Sequence, residues 1–99
     1  MTIEKKISGD SLELMLSDRV DGPGANDLEV AVLAAIKQGT KEIYVNLAQA
    51  TFLCSAGLRV LLQYHRQLKQ KGCKLVVSRP SPEVLAALEM TGFPELIER

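Results

Sequence analysis

Apolar and polar residues alternate at the start of the chain. Ile3 to Ser8 and Leu12 to Leu16 have the period of two expected of strands with one buried face. Ser8, Gly9, Asp10 and Ser11 lie between them and supply turn chemistry, so the pattern predicts an antiparallel β-hairpin. From Asn26 the period lengthens. Leu28, Val32, Ala35 and Ile36 recur at helical spacing, Asp27 and Glu29 suit the positive end of a helix, and Gly39 is placed to terminate it. Ile43, Val45 and Leu47 then alternate with Tyr44 and Asn46, which predicts a half-buried strand running toward the segment Thr51 to Leu62, TFLCSAGLRVLL.

A second helix is expected beyond that segment. Leu58, Leu61, Leu62, His65 and Leu68 share one face, Arg59, Arg66, Lys69 and Lys71 occupy the rest, and Gly72 closes it. On this spacing His65 is an amphipathic residue at the edge of the apolar face. Lys74 to Ser78 reads as a strand. Ser81, Pro82 and Glu83 form a helix start, with a capping hydroxyl, a proline whose missing N–H costs nothing there, and an acid at the positive end. Val84, Leu85 and Leu88 give that third helix its apolar face, Gly92 with Phe93 suits a Schellman ending, and Leu96 and Ile97 offer one short terminal segment. Strand, helix and strand in repeated succession require right-handed crossovers and parallel pairing. The expected fold is α/β: one small domain over residues 1–99, with a mixed sheet made of an N-terminal hairpin plus parallel strands, and several helices packed on it.

Composition narrows the function. Twelve basic and twelve acidic side chains cancel, so nothing suggests a surface for nucleic acid. MTIEKKISGD lacks the apolar core of a signal peptide, and no apolar run approaches the ~20 residues that span a bilayer, so a cytoplasmic protein without membrane insertion is expected. Cys54 and Cys73 match no metal or redox spacing and read as reduced, small hydrophobic residues. No metal or cofactor is expected.

Cys54, Ser55, Ala56 and Gly57 are all small and sit where a strand gives way to a helix, the position at which open α/β sheets tend to carry their sites. Such a junction suits a nucleophile, a phosphate acceptor or a plain turn. The unpaired N–H groups and dipole of the following helix favour an anion, so a phosphate on Ser55 would find partners ready made. Alternatively, Ser55 caps the helix. Cys54 as nucleophile with His65 as base is disfavoured, because His65 lies well down the same helix at ~1.5 Å per residue and no third residue is placed to orient it. The expectation is a binding protein, not an enzyme.

The stretch FLCSAGLRVLL resembles the signature of STAS-domain proteins, the anti-sigma factor antagonists, in which an aromatic and an apolar residue precede Asp, Ser, Ser or Thr, Gly and Leu. Asp21 in LSDRVDG resembles the acidic residue after the family's second strand. KQKGCKLVVS resembles its second helix running into a strand, and LEMTGFPELI its closing helix and tail. The resemblance implies a dephosphorylated antagonist that binds a serine kinase acting also as anti-sigma factor, and that is released when the serine after the aspartate is phosphorylated. Ser55 occupies that serine position. Cys54 stands in place of the aspartate, Ala56 in place of the second hydroxyl residue, Arg59 in place of a glycine, and Asp18 and Arg19 where the family often has Gly and Glu. Because they flank this exposed junction of small side chains, Asp21, Cys54, Ser55, Ala56, Gly57, Leu58 and Arg59 are the expected partner surface; Arg59, Arg66 and Lys69 either extend it or form a plain solvated helix face, the reading their spacing favours. A second reading keeps the fold and changes the partner: an accessory subunit of an ATP-binding-cassette lipid transporter or another signalling assembly, without phosphorylation. Asp21 also admits a plain role as a solvated turn residue beside Gly22, Pro23 and Gly24.

Overall fold

The hairpin forms as its alternation requires. In the computed structural model, which describes residues 1–98, β1 (Thr2–Ser8) pairs antiparallel with β2 (Ser11–Val20) from Thr2 opposite Ser17 to Ser8 opposite Ser11. Gly9, at a φ of 59°, supplies the left-handed conformation of the tight turn. β3 (Glu42–Leu53) and β4 (Lys74–Ser78) follow, each parallel to the strand before it, in the order β1-β2-β3-β4. The mixed sheet expected from the sequence is therefore present. β2 runs past Leu16 to Val20 because β3 holds it that far, through two register irregularities, to a last pair between Val20 and Leu53.

Three helices cover the sheet: α1 (Gly22–Lys37), α2 (Ser55–Gln70) and α3 (Pro82–Met90). α1 begins four residues before the expected Asn26, so Asp27 and Glu29 lie beyond its first turn, which holds no acid. The cause is Asp21. Its carboxylate accepts the Gly24 N–H at 2.9 Å, and Pro23 presets the helical φ just inside the start. Asp21 is thus an N-cap and not a free turn residue. Ser81 caps α3 as its sequence suggested, accepting the Val84 N–H at 3.2 Å. α3 ends in the expected Schellman pair, Phe93 N–H to Leu88 C=O at 3.1 Å and Gly92 N–H to Glu89 C=O at 3.3 Å. Pro94–Leu96 is one turn of 3₁₀-helix, and Ile97 bridges to Val77.

Leu12, Leu14 and Leu16 of β2, Ile43, Val45 and Leu47 of β3, and Leu75 and Val77 of β4 are buried in one aliphatic core with Leu28, Val32, Leu61, Leu68 and Leu88 of the helices. His65 differs from expectation. It is buried, and its Nδ1 donates to the Leu75 carbonyl at 2.8 Å, tying α2 to β4 instead of standing at the edge of the apolar face. Tyr64, beside it, ties α2 to α1: its hydroxyl donates to Glu29 Oε2 at 2.7 Å. Burial, then the hydrogen bond and charge of Glu29, push the Tyr64 phenol up from 10 to about 12. A phenol harder to ionise in the fold than in the unfolded chain contributes stability that is complete below pH 10 and lost as pH rises through about 12. The urea midpoint should accordingly fall between pH 9.5 and 12, and fall less steeply in Tyr64→Phe. Equal slopes in both proteins would remove Tyr64 from the cause.

Candidate functional site

The parallel pairing of β2 with β3 decides what lies together. The last pair, Val20 with Leu53, is followed by a hydrogen bond from the Cys54 N–H to the Val20 carbonyl at 2.9 Å. Asp21 and Cys54 therefore leave the sheet side by side, and each is the N-cap of the helix that follows. Two helix starts, with their unpaired N–H groups, share one end of the sheet. The Asp21 turn and the Ser55 turn are adjacent.

Within this end the small residues have separate tasks. Cys54 is the cap of α2: its Sγ accepts the Gly57 N–H at 3.4 Å. Ser55 is the first helical residue, is exposed, and its hydroxyl makes no hydrogen bond among the described residues. The alternative in which Ser55 caps the helix is corrected, because the capping position falls one residue earlier. Gly57 does not reach the surface. It is buried, and a Cβ there would sit 2.8 Å from Leu53 Cδ1 and 3.2 Å from Val20 Cγ1, so its bareness lets α2 start close to the strand ends. Ala56 leans on the core, so a bulky residue there would meet the core before it met a partner.

The exposed remainder forms one open groove of about 310 Å³ along α2, with Ser55 at its head, half-buried Leu58 and Leu62 as apolar walls, and Arg59, Gln63 and Arg66 beside them. Arg66 also lies 3.8 Å from Glu95 Oε1. Lys69 is not in this groove. It lies near His65 and Cys73, so the basic side chains along the groove are Arg59 and Arg66. Cys54 and Cys73 flank opposite ends of the 16-residue α2, about 24 Å long, and both are free. Eleven residues, about 16 Å of helical rise, separate His65 from Cys54, so these two side chains do not meet.

β2 and β3 add a feature that the sequence did not place in the site. Arg19 pairs with Phe52 across the strands, and its guanidinium lies 4.3 Å from the ring centroid, with both residues exposed just before the two caps. Asp18 holds a φ of 66° at the irregularity that brings Arg19 there. That left-handed conformation favours glycine, and Asp is among the few other residues that adopt it readily. The sequence signals were Phe52, the aromatic that opens the FLCSAGL signature, and the Asp18–Arg19 departure from the family pattern; pairing over 33 positions leaves no local periodicity to join them.

A family model, described as STAS domain, matches residues 2–99. The chain belongs to the STAS-domain family. BtrV of Bordetella bronchiseptica, assigned to the anti-sigma factor antagonists, is 33% identical over 88 residues, which is 89% of this chain and 75% of BtrV. The fold is that of the anti-sigma factor antagonist SpoIIAA in its unphosphorylated form, with a TM-score of 0.85 at 19% identity over 98% of this chain and 86% of the other. The phosphorylated form of the Bacillus cell fate determinant SpoIIAA superposes with a TM-score of 0.79 at 18% identity over 98% of this chain and 89% of the other. Among the described residues no helix is long and apolar enough to cross a membrane.

Within this STAS domain the cap of α2 is chemically weak. Sulfur is a poorer acceptor than the oxygens preferred at N-caps, and the Cys54 contact to Gly57 is correspondingly long. Cys54→Asp should stabilise the domain by about 1 kcal/mol, from the better cap and from a carboxylate at the positive helix end. Thermal unfolding should show a rise of roughly 4–8 °C for a domain of this size. An unchanged or lowered midpoint would show that the thiol contributes through packing and not through capping.

Proposed function

We propose that this chain is an anti-sigma factor antagonist whose partner is a serine kinase acting also as anti-sigma factor, and that phosphorylation of Ser55 releases the complex. The observation that carries the reading is the division of labour at the head of α2. Cys54 performs the capping, which leaves the exposed Ser55 hydroxyl without a structural task and open to a kinase. A phosphate there would add roughly −1.5 to −2 charge beside two helix starts, where the domain tolerates it and a partner fitted to neutral serine does not. Asp21, Cys54, Leu58 and Arg59 surround Ser55 and form the proposed partner surface, to which the Arg19–Phe52 pair adds an exposed aromatic. Gly57 and Ala56 support that surface from beneath. The chain acts by binding, catalyses nothing and needs no cofactor of its own. The balanced charge favours a protein partner over nucleic acid, and a cytoplasmic setting suits a sigma-factor regulator.

The test is a pull-down from the native cytosol with wild-type and Ser55→Asp bait, with mass spectrometry of the bait. A kinase-like protein held by wild-type and lost from Ser55→Asp, with phosphate on Ser55, is the expected result. Transporter subunits held equally by both baits, with Ser55 unmodified, would replace this reading with the accessory-subunit one.

A further inference from the structure

The two edges of the sheet are treated differently. At β4 the chain covers its own edge: Ile97 bridges to Val77, the Glu98 N–H donates to the Val77 carbonyl at 2.9 Å, and His65 Nδ1 holds the Leu75 carbonyl. At β1 nothing does so among the described residues. β1 is seven residues long, pairs with β2 without a register shift, contains no proline and is exposed at every position but Ile3. Such an edge is a template for another strand unless its charges forbid one.

Here the charges select a partner. Ile3, Lys5 and Ile7 lie opposite Leu16, Leu14 and Leu12 and so share the helix-covered face of the sheet, whereas Glu4 and Lys6 point to the other face. An antiparallel copy of the same strand, placed with its two-fold axis through Lys5, sets Glu4 against Lys6 of the copy twice and Ile3 against Ile7 of the copy twice. Ile7 is 71% exposed on the rim of a cavity of about 190 Å³ that is closed on its other side by Ala31, Ala34 and Gln38 of α1. Ile3 of the copy would cover that rim. We infer that the β1 edge is a homodimer interface, in which two copies join antiparallel through β1 into one eight-stranded sheet, in the register set by the reciprocal Glu4–Lys6 pairs. The opposed Lys5 side chains on the axis oppose association. Together with the small area of one strand pair, they make the dimer weak and concentration-dependent.

Sedimentation equilibrium of the full chain from 10 μM to 1 mM tests this. Wild-type protein should pass from monomer toward dimer across that range. Glu4→Lys and Lys6→Glu should each remain monomeric alone and form a one-to-one heterodimer when mixed, because the mixture restores both opposite-charge pairs. Lys5→Thr should tighten the wild-type dimer at least several-fold. Because Lys6 faces Glu13 within its own chain, circular dichroism confirms that each variant is folded, and Glu4→Lys, which faces Met15, gives the cleaner single test. A wild-type monomer throughout, a dimer that ignores both charge reversals, or a mixture that fails to associate would overturn the assignment.

Discussion

Ser55→Asp is expected to keep the fold and lose the partner. At the first position of α2 a carboxylate faces unpaired N–H groups and the positive end of a 16-residue helix, worth roughly 0.3–1 kcal/mol in its favour. It displaces no existing bond, since Cys54 and not Ser55 accepts from Gly57. The melting temperature should therefore stay level or rise by a few degrees. Binding should respond in the opposite direction. A charge introduced into a surface fitted to a neutral hydroxyl must be desolvated without a counter-charge, at a cost of several kcal/mol, so affinity should fall at least about 100-fold. Calorimetric titration against the captured kinase, beside thermal melts of both proteins, measures the two effects separately. A mutant that binds within a few-fold of wild type would end the proposal that charge at Ser55 is the switch. One that fails to fold would show that Ser55 bears a structural load.

Leu61→Ala should produce the largest loss of stability, about 2.7–5 kcal/mol. Leu61 is fully buried in α2 among the β-strand leucines and valines, so the lost side chain leaves a cavity in a core already closed on every side. Against the 5–15 kcal/mol by which domains are ordinarily stable, such a loss would leave a measurable unfolded fraction at 37 °C. The adjacent Leu62 gives the control. It is only half-buried and forms a wall of the groove headed by Ser55, so Leu62→Ala should cost less stability and more partner affinity than Leu61→Ala. Urea unfolding of both variants compares them. Equal losses would mean that the groove wall and the core have been wrongly divided along this helix.

The alternation in Ile3 to Leu16, the helical spacing from Leu58 to Leu68 and the Ser81–Pro82–Glu83 start were determined by the sequence because each is a local signal, repeated within a few residues of itself. The start of α1 was equally local yet was missed. Asp21 and Pro23 form a cap-and-proline signal like that of Ser81 and Pro82 but spaced one residue wider, and Gly22 and Gly24, which suggest a loop, obscure it. The small residues of FLCSAGL marked the junction, and their types could not say which of them caps, which is buried and which is free. That division follows from where β3 releases the chain. The Cys54 N–H is held by Val20, so the cap falls on Cys54, Gly57 is pressed against Leu53 and Val20, and Ser55 faces outward. The neighbourhood of Asp21 and Ser55, the stacking of Arg19 on Phe52, and the burial of His65 against Leu75 likewise depend on strands and helices far apart in the chain. Such contacts leave no period in a single sequence, because what brings them together is the pairing of whole elements, fixed by the burial of their apolar faces and not by the residues that happen to meet.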